Sequence, residues 1–229
     1  IVDSVDWPCE VNTLFRDQNL GCRQAVSSAI TWFFEHVDAG IILEDDCLPS
    51  PSFFPFCAEL LDRYYEDRRV MMISGDDFLR GRIGTRGFSY RFSRYAHIWG
   101  WATWKRAWDL YDGDMRDWPV LRDTRWLQQI VGKGRALEYW RRAFDATYSG
   151  AINTWDYQWQ YSCWRARGLA IEPNGNLVIN IGFQEDATHT RTASSWWMPP
   201  IASVRSPLIH PPAILADDFA DRLLQRGRT

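Results

Sequence analysis

Two short apolar runs, each closed by acidic residues, constrain this chain more than any other feature. Ile41-Ile42-Leu43 ends in Glu44-Asp45-Asp46, and Val70-Met71-Met72-Ile73 ends in Ser74-Gly75-Asp76-Asp77. Runs this short and this apolar suit strands buried on both faces, as in a parallel sheet. Between them Pro49 and Pro51 restart a helix that reaches about Glu66, carrying Phe53, Phe54, Phe56, Leu60, Leu61 and Tyr64. Ahead of the first run, Ala25, Val26, Ala29, Ile30, Phe33 and Phe34 recur at helical spacing between Leu20 and Val37, and Gly40 then breaks the chain. Residues 10–16 alternate enough to read as a further strand. Strand, helix, strand, helix, strand predicts an α/β sheet with right-handed crossovers.

The pattern then changes. Residues 80–102 are rich in Gly, Arg and aromatics, with a strand predicted at Phe88–Phe92. Helices are predicted at 104–111, 121–131, 135–148 and 155–167, and short strands at 169–172 and 176–180. A Pro-rich segment follows and ends in an amphipathic stretch over Asp217–Gln225. A length of 229 residues favours one large domain, placed at 1–198 with a tail over 199–229. The net charge of -3 offers no basic footprint for nucleic acid. No run approaches the ~20 apolar residues of a membrane span, and no signal peptide is visible. The expected location is cytoplasmic, with a peripheral position at the inner membrane face left open. The chain starts at Ile1 and not at Met, which suits a fragment or a processed form. Five cysteines, Cys9, Cys22, Cys47, Cys57 and Cys163, are an odd number without C-x-x-C spacing, so reduced thiols are the preferred reading.

Glu44-Asp45-Asp46 is the strongest local feature. Ligands of open α/β sheets bind beyond the carboxyl ends of strands, and this triplet leaves such an end. Three consecutive carboxylates repel unless a cation sits among them, and a hard ion such as Mg²⁺ or Mn²⁺ would serve. An isolated triplet would read as a solvated loop cap; the apolar strand before it and the Pro-containing helix start after it favour a site. Asp156 is a second candidate. Thr154 is expected as the N-cap, which puts Asp156 in a first helical turn, where a carboxylate can act as a general base or simply complement the helix dipole. His189, near Glu185 and Asp186, could ligate a metal or contact phosphate, and alone is a weak signal. The chain lacks Gly-x-Gly-x-x-Gly, a P-loop, a Gly-x-Ser-x-Gly elbow and His-Glu-x-x-His, which argues against those chemistries.

In their order these features resemble nucleotide-diphospho-sugar glycosyltransferases of the GT-A fold, in particular N-acetylglucosaminyltransferase I and the bacterial enzymes like it. The resemblance runs over roughly residues 19–190. It begins at Gly21-Cys22-Arg23-Gln24-Ala25 and is most specific at Ile41-Ile42-Leu43-Glu44-Asp45-Asp46-Cys47-Leu48-Pro49-Ser50-Pro51-Ser52-Phe53-Phe54. It implies a Rossmann-like mixed sheet flanked by helices, lacking here its first βα unit, which in the family holds the nucleotide base. It implies Asp46 as ligand of Mn²⁺ or Mg²⁺, with Glu44, Asp45 and Arg23 toward the donor. Trp99-Gly100-Trp101-Ala102-Thr103-Trp104 resembles the family's glycine-tryptophan segment beside the donor sugar, and so implies contacts from Gly100 and Trp101. Trp155-Asp156-Tyr157-Gln158-Trp159 resembles its tryptophan-aspartate motif, whose Asp is the catalytic base, although the family often has a second acid where Tyr157 stands. Gly182–His189 resembles a loop that closes over the diphosphate, with His189 at the metal side. The implied partners are a UDP-sugar donor and a saccharide or other hydroxyl acceptor, and the implied transfer is inverting. Two alternatives stay open: a metal-dependent phosphoesterase or nucleotide-sugar hydrolase, and a non-catalytic carbohydrate-binding domain.

Tryptophan is the unusual entry in composition. Ten of the 14 lie between Trp99 and Trp164. Flat rings can form an aromatic core or stack on sugars. Trp101 and Trp155 are the expected sugar-facing rings, while Trp159 shares a helix face with Cys163 and suits core packing.

Overall fold

A computed structural model describes residues 4–81, 87–182 and 200–228. Helix α1 (Gly21–Phe34) precedes strand β1 (Ala39–Ile42) and the short strand β2 (Cys47–Pro49). Then come α2 (Phe53–Arg63), β3 (Val70–Ser74), β4 (Tyr90–Ser93) and β5 (Trp101–Trp104). Four helices follow, α3 (Lys105–Trp108), α4 (Trp118–Leu121), α5 (Trp126–Val131) and α6 (Arg135–Tyr148), and then α7 (Asp156–Arg165). Strands β6 (Leu169–Pro173) and β7 (Val178–Asn180) precede the last helix, α8 (Asp218–Arg228).

The result is a mixed α/β fold. Five strands pair in the order β1-β5-β3-β6-β4, and β2 pairs separately with β7. β3 and β6 are parallel, whereas β5 is antiparallel to both β1 and β3. Because β5 lies between them, β1 and β3 run the same way, and β6 runs with them. Their carboxyl ends therefore share one end of the sheet.

Side-chain alternation divides the core. On one face Ile73, Phe92, Ala102, Trp104 and Ile171 pack against Phe53, Phe56, Cys57 and Leu60 of α2. On the other, Met72, Trp101 and Ala170 meet Ile30 and Phe34 of α1, Trp108 of α3, and Trp155, Trp159 and Cys163 at α7. A third cluster joins the later helices through Trp118, Trp140, Phe144, Tyr161, Trp164 and Leu224.

Several expectations need correction. Residues 10–16 form no strand, and most of them are exposed, so their alternation has no buried face to serve. β1 is an antiparallel, half-buried edge strand of the described sheet and not a buried parallel one. β5, where the resemblance implies a segment beside the donor sugar, is an interior strand buried throughout. The tail over 200–228 packs against the rest of the fold. Ala202 N–H donates to the Asn176 carbonyl at 2.6 Å, and Ala216 bridges to Phe92. Asp221 of α8 accepts from Ser93 Oγ at 2.7 Å and from Arg94 Nη1 at 2.9 Å. The amphipathic stretch is α8 itself, with Ala220 and Leu224 buried.

Among the described residues no helix is long and apolar enough to cross a membrane. Cys57 and Cys163 are core residues whose thiols burial pushes up, and Cys9 is exposed.

The Asp221 contacts generate a prediction. Asp221→Ala removes an acceptor from the buried Ser93 hydroxyl and from Arg94 and should lower unfolding free energy in urea by about 2 kcal/mol. An unchanged urea midpoint would mean that the Asp221 contacts do not contribute to stability.

Candidate functional site

The acidic triplet leaves β1 and turns at once. Cys47 N–H donates to the Glu44 carbonyl at 3.0 Å, so Asp45 and Asp46 occupy the two central positions of a tight turn into β2. Acids suit such turns because their short side chains tolerate the backbone geometry. β7 fixes the far side of the turn. Ile181 N–H donates to the Asp46 carbonyl at 2.7 Å, and a Cβ on Gly182 would lie 2.4 Å from Asp46 Oδ2. The absence of a side chain at Gly182 lets the chain just beyond β7 pass close to the carboxylate.

Asp156 reaches the same place from another element. It is the first residue of α7, and Thr154 donates its hydroxyl to Asp156 Oδ1. Thr154 is thus a partner of Asp156 and not the helix N-cap, which is Trp155. The other three acids all bear on Glu44. Burial, then Asp46, Asp156 and Asp45, raise the Glu44 carboxyl to about 7. The half-buried Cys22 thiol is pushed up by burial and then by Glu44 and Asp156. Cys47 Sγ donates to Asp46 Oδ1 at 3.6 Å. Sequence positions 44 to 46 and 156 are therefore brought together.

The other expected site residues fall differently. The Arg23 backbone N–H donates to Asn153 Oδ1 at 3.2 Å, which ties α1 to the loop before Asp156. Its guanidinium donates to the Gly113 carbonyl and to Asp114 Oδ1, so Arg23 braces the turn at 113–114. Gly100 lies behind the triplet. Its φ is +69°, and an added Cβ would sit 2.7 Å from Val178 Cγ2 and 3.1 Å from Leu43 Cδ2. Trp101 is 0% exposed and stacks on Trp155 at 5.7 Å, with Trp159 5.5 Å away. Neither Trp101 nor Trp155 presents a face to a sugar: both rings are core. His189 lies outside the described residues, as does most of the loop expected over the diphosphate.

Among the described residues no three His, Cys, Asp or Glu side chains are arranged to hold a metal ion together. A cation here would rest on one or two carboxylates and take its remaining ligands from substrate or water. A groove of about 540 Å³ opens beside Tyr157, between Arg135, Tyr139 and Arg142 of α6 and Ile152. Tyr157, where the resembled motif often has an acid, hydrogen-bonds Tyr139 through the two hydroxyls at 2.9 Å.

Sequence reasoning missed a second buried cluster at this sheet end. Arg91 bridges Asp77 and Glu172, and His97 Nε2 lies 3.1 Å from Glu172 Oε1. Burial opposes the charge on Glu172, yet Arg91 and His97 hold its carboxyl down at about 2. The available signal was the repetition at Ile73-Ser74-Gly75-Asp76-Asp77 of the strand-then-acid pattern seen at Glu44. No known family model and no curated protein matches the chain.

The crowding at Glu44 fixes a pH dependence. A carboxyl whose folded value is raised contributes stability that is present below its ordinary value of 4.5 and lost as pH rises through about 7. In metal-free buffer Glu44→Gln should therefore raise the thermal midpoint at pH 8 and leave it unchanged at pH 4. The gain should be about 1 kcal/mol after discounting for partial exposure. Equal shifts at both pH values would contradict the crowding.

Proposed function

We propose that this chain is a metal-dependent glycosyltransferase of the GT-A type. It moves a sugar from a nucleotide-diphosphate sugar to an acceptor hydroxyl with inversion. The observation that carries the reading is that Asp156, at the start of α7, lies close enough to the acidic turn to help raise the Glu44 carboxyl, with Asn153 tying its loop to Arg23 of α1. A general base and a cation-attracting turn are what such a transfer needs, and they come from elements more than a hundred residues apart.

The donor set fits a hard cation. It consists of carboxylate oxygens, and burial together with Asp46, Asp156 and Asp45 raises the Glu44 carboxyl, a cost that a bound cation would relieve. Asp46 would hold Mn²⁺ or Mg²⁺, with Glu44 and Asp45 toward the donor. When bound, the ion supplies positive charge to the diphosphate leaving group. Asp156 Oδ1 accepts from Thr154, which orients the carboxylate and leaves Oδ2 to take the acceptor's hydroxyl proton as the oxygen attacks the anomeric carbon. The resemblance at Gly182–His189 supports assigning His189 to the diphosphate.

The test is turnover with a panel of nucleotide sugars, Mn²⁺ and saccharide acceptors. Asp156→Asn should cut transfer about 100-fold or more while donor binding persists, as expected for loss of a general base. Unchanged turnover would remove Asp156 from that role. Sugar release to water as the main reaction would replace transfer with hydrolysis.

A further inference from the structure

Asp76 is buried at the same sheet end, and the mechanism above gives it no part. It follows β3 directly and is 1% exposed. Its Oδ2 accepts from the Trp99 N–H at 3.0 Å, and its Oδ1 has no hydrogen-bond partner among the described residues. Burial, with Glu172 and Asp77 nearby, raises its carboxyl well above the ordinary range, against the Trp99 bond. A buried acid that makes so few bonds is costly to keep unless its geometry is needed.

What it holds is the entry to β5. The Asp76 N–H donates to Ser74 Oγ at 3.0 Å, and Ser74 Oγ donates to the His97 carbonyl at 3.0 Å. Gly75 N–H donates to the Gly100 carbonyl at 2.8 Å. Three links thus tie 97–100 to the end of β3, and the Asp76 carboxyl supplies the one at Trp99. Gly100 then packs against Leu43, the residue before Glu44. β1 is otherwise an edge strand, and β5 is its neighbour in the described sheet, with Ile42 opposite Trp101.

We propose that Asp76 is a positioning residue for the acidic turn: its carboxyl clasps Trp99 to the end of β3, and Gly100, so fixed, sets Leu43 and hence Glu44. The structural part of this claim stands on geometry; its effect on metal binding rests on the function proposed above. Asp76 does not touch substrate or metal.

Two measurements on the full chain test it. One is the nuclear Overhauser effect between the Leu43 methyls and Gly100 Hα; the other is Mn²⁺ affinity. Asp76→Ala should lose the Leu43–Gly100 effect and bind Mn²⁺ at least tenfold more weakly. Asp76→Asn, which keeps an oxygen for the Trp99 N–H, should retain the effect and bind within threefold of wild type. Asp221→Ala serves as the control for general destabilisation and should leave Mn²⁺ affinity unchanged. If Asp76→Ala fails to fold, Gly100→Ala tests the same contact, because its methyl group would press on Leu43, and it too should weaken Mn²⁺ binding tenfold. Wild-type affinity with an intact Leu43–Gly100 effect in Asp76→Ala overturns the proposal. Absence of Mn²⁺ binding by wild type overturns the metal reading instead, and the Leu43–Gly100 effect then decides the positioning claim by itself.

Discussion

The burial of Glu44 among neighbouring acids at the end of β1 is the constraint on which the site depends. Glu44, Asp45 and Asp46 are adjacent in the chain, and α7 adds Asp156 to them when its helix start could have lain elsewhere. Like charges gathered in a half-buried place cost stability unless something cationic relieves them. Here the fold maintains the gathering. β7 pins Asp46 through Ile181, Thr154 orients Asp156, and Asn153 joins the Asp156 loop to α1 at Arg23. The sheet contributes through its topology: β5, inserted antiparallel, lets β1 and β3 run together and brings their acidic ends to one end of the sheet.

The tryptophans supply the rigidity behind this arrangement. Trp101, Trp108, Trp155 and Trp159 pack ring on ring between the sheet and α1, α3 and α7. Trp155 immediately precedes Asp156, so the same packing that fills the core anchors the start of α7. Aromatic groups of this kind bury large areas with few rotatable bonds. The tryptophan excess therefore belongs to the scaffold of the site, in the position where sugar-stacking rings were expected.

Elements with a strong period were legible in the sequence. α1, α2 and α6 show their apolar stripes plainly, α7 is buried at every residue from Gln158 to Trp164, and β3 is an apolar run buried throughout. β5 was not legible, because Trp101-Ala102-Thr103-Trp104 is too short to show alternation and sits in an aromatic, Gly-rich context. The edge position of β1 was hidden too, since Ile41-Ile42-Leu43 is as apolar as a central strand while Leu43 is 39% exposed. At the site, the triplet and Asp156 could be named from local context, but their meeting depends on contacts over more than a hundred residues. The Arg91–Glu172 pair was invisible for the same reason: it exists only through the β4–β6 register.

Proton release on Mn²⁺ binding tests the central claim most directly. Glu44, raised to about 7 by burial and then by Asp46, Asp156 and Asp45, is partly protonated at pH 7 without metal, and a cation binding beside it must displace that proton. Calorimetric titration in buffers of different ionisation enthalpy should show Mn²⁺ binding coupled to proton release at pH 7. The release should disappear at pH 9, and binding should be lost in Asp46→Asn. Mn²⁺ binding without proton release at pH 7, or no binding at all, would contradict the account.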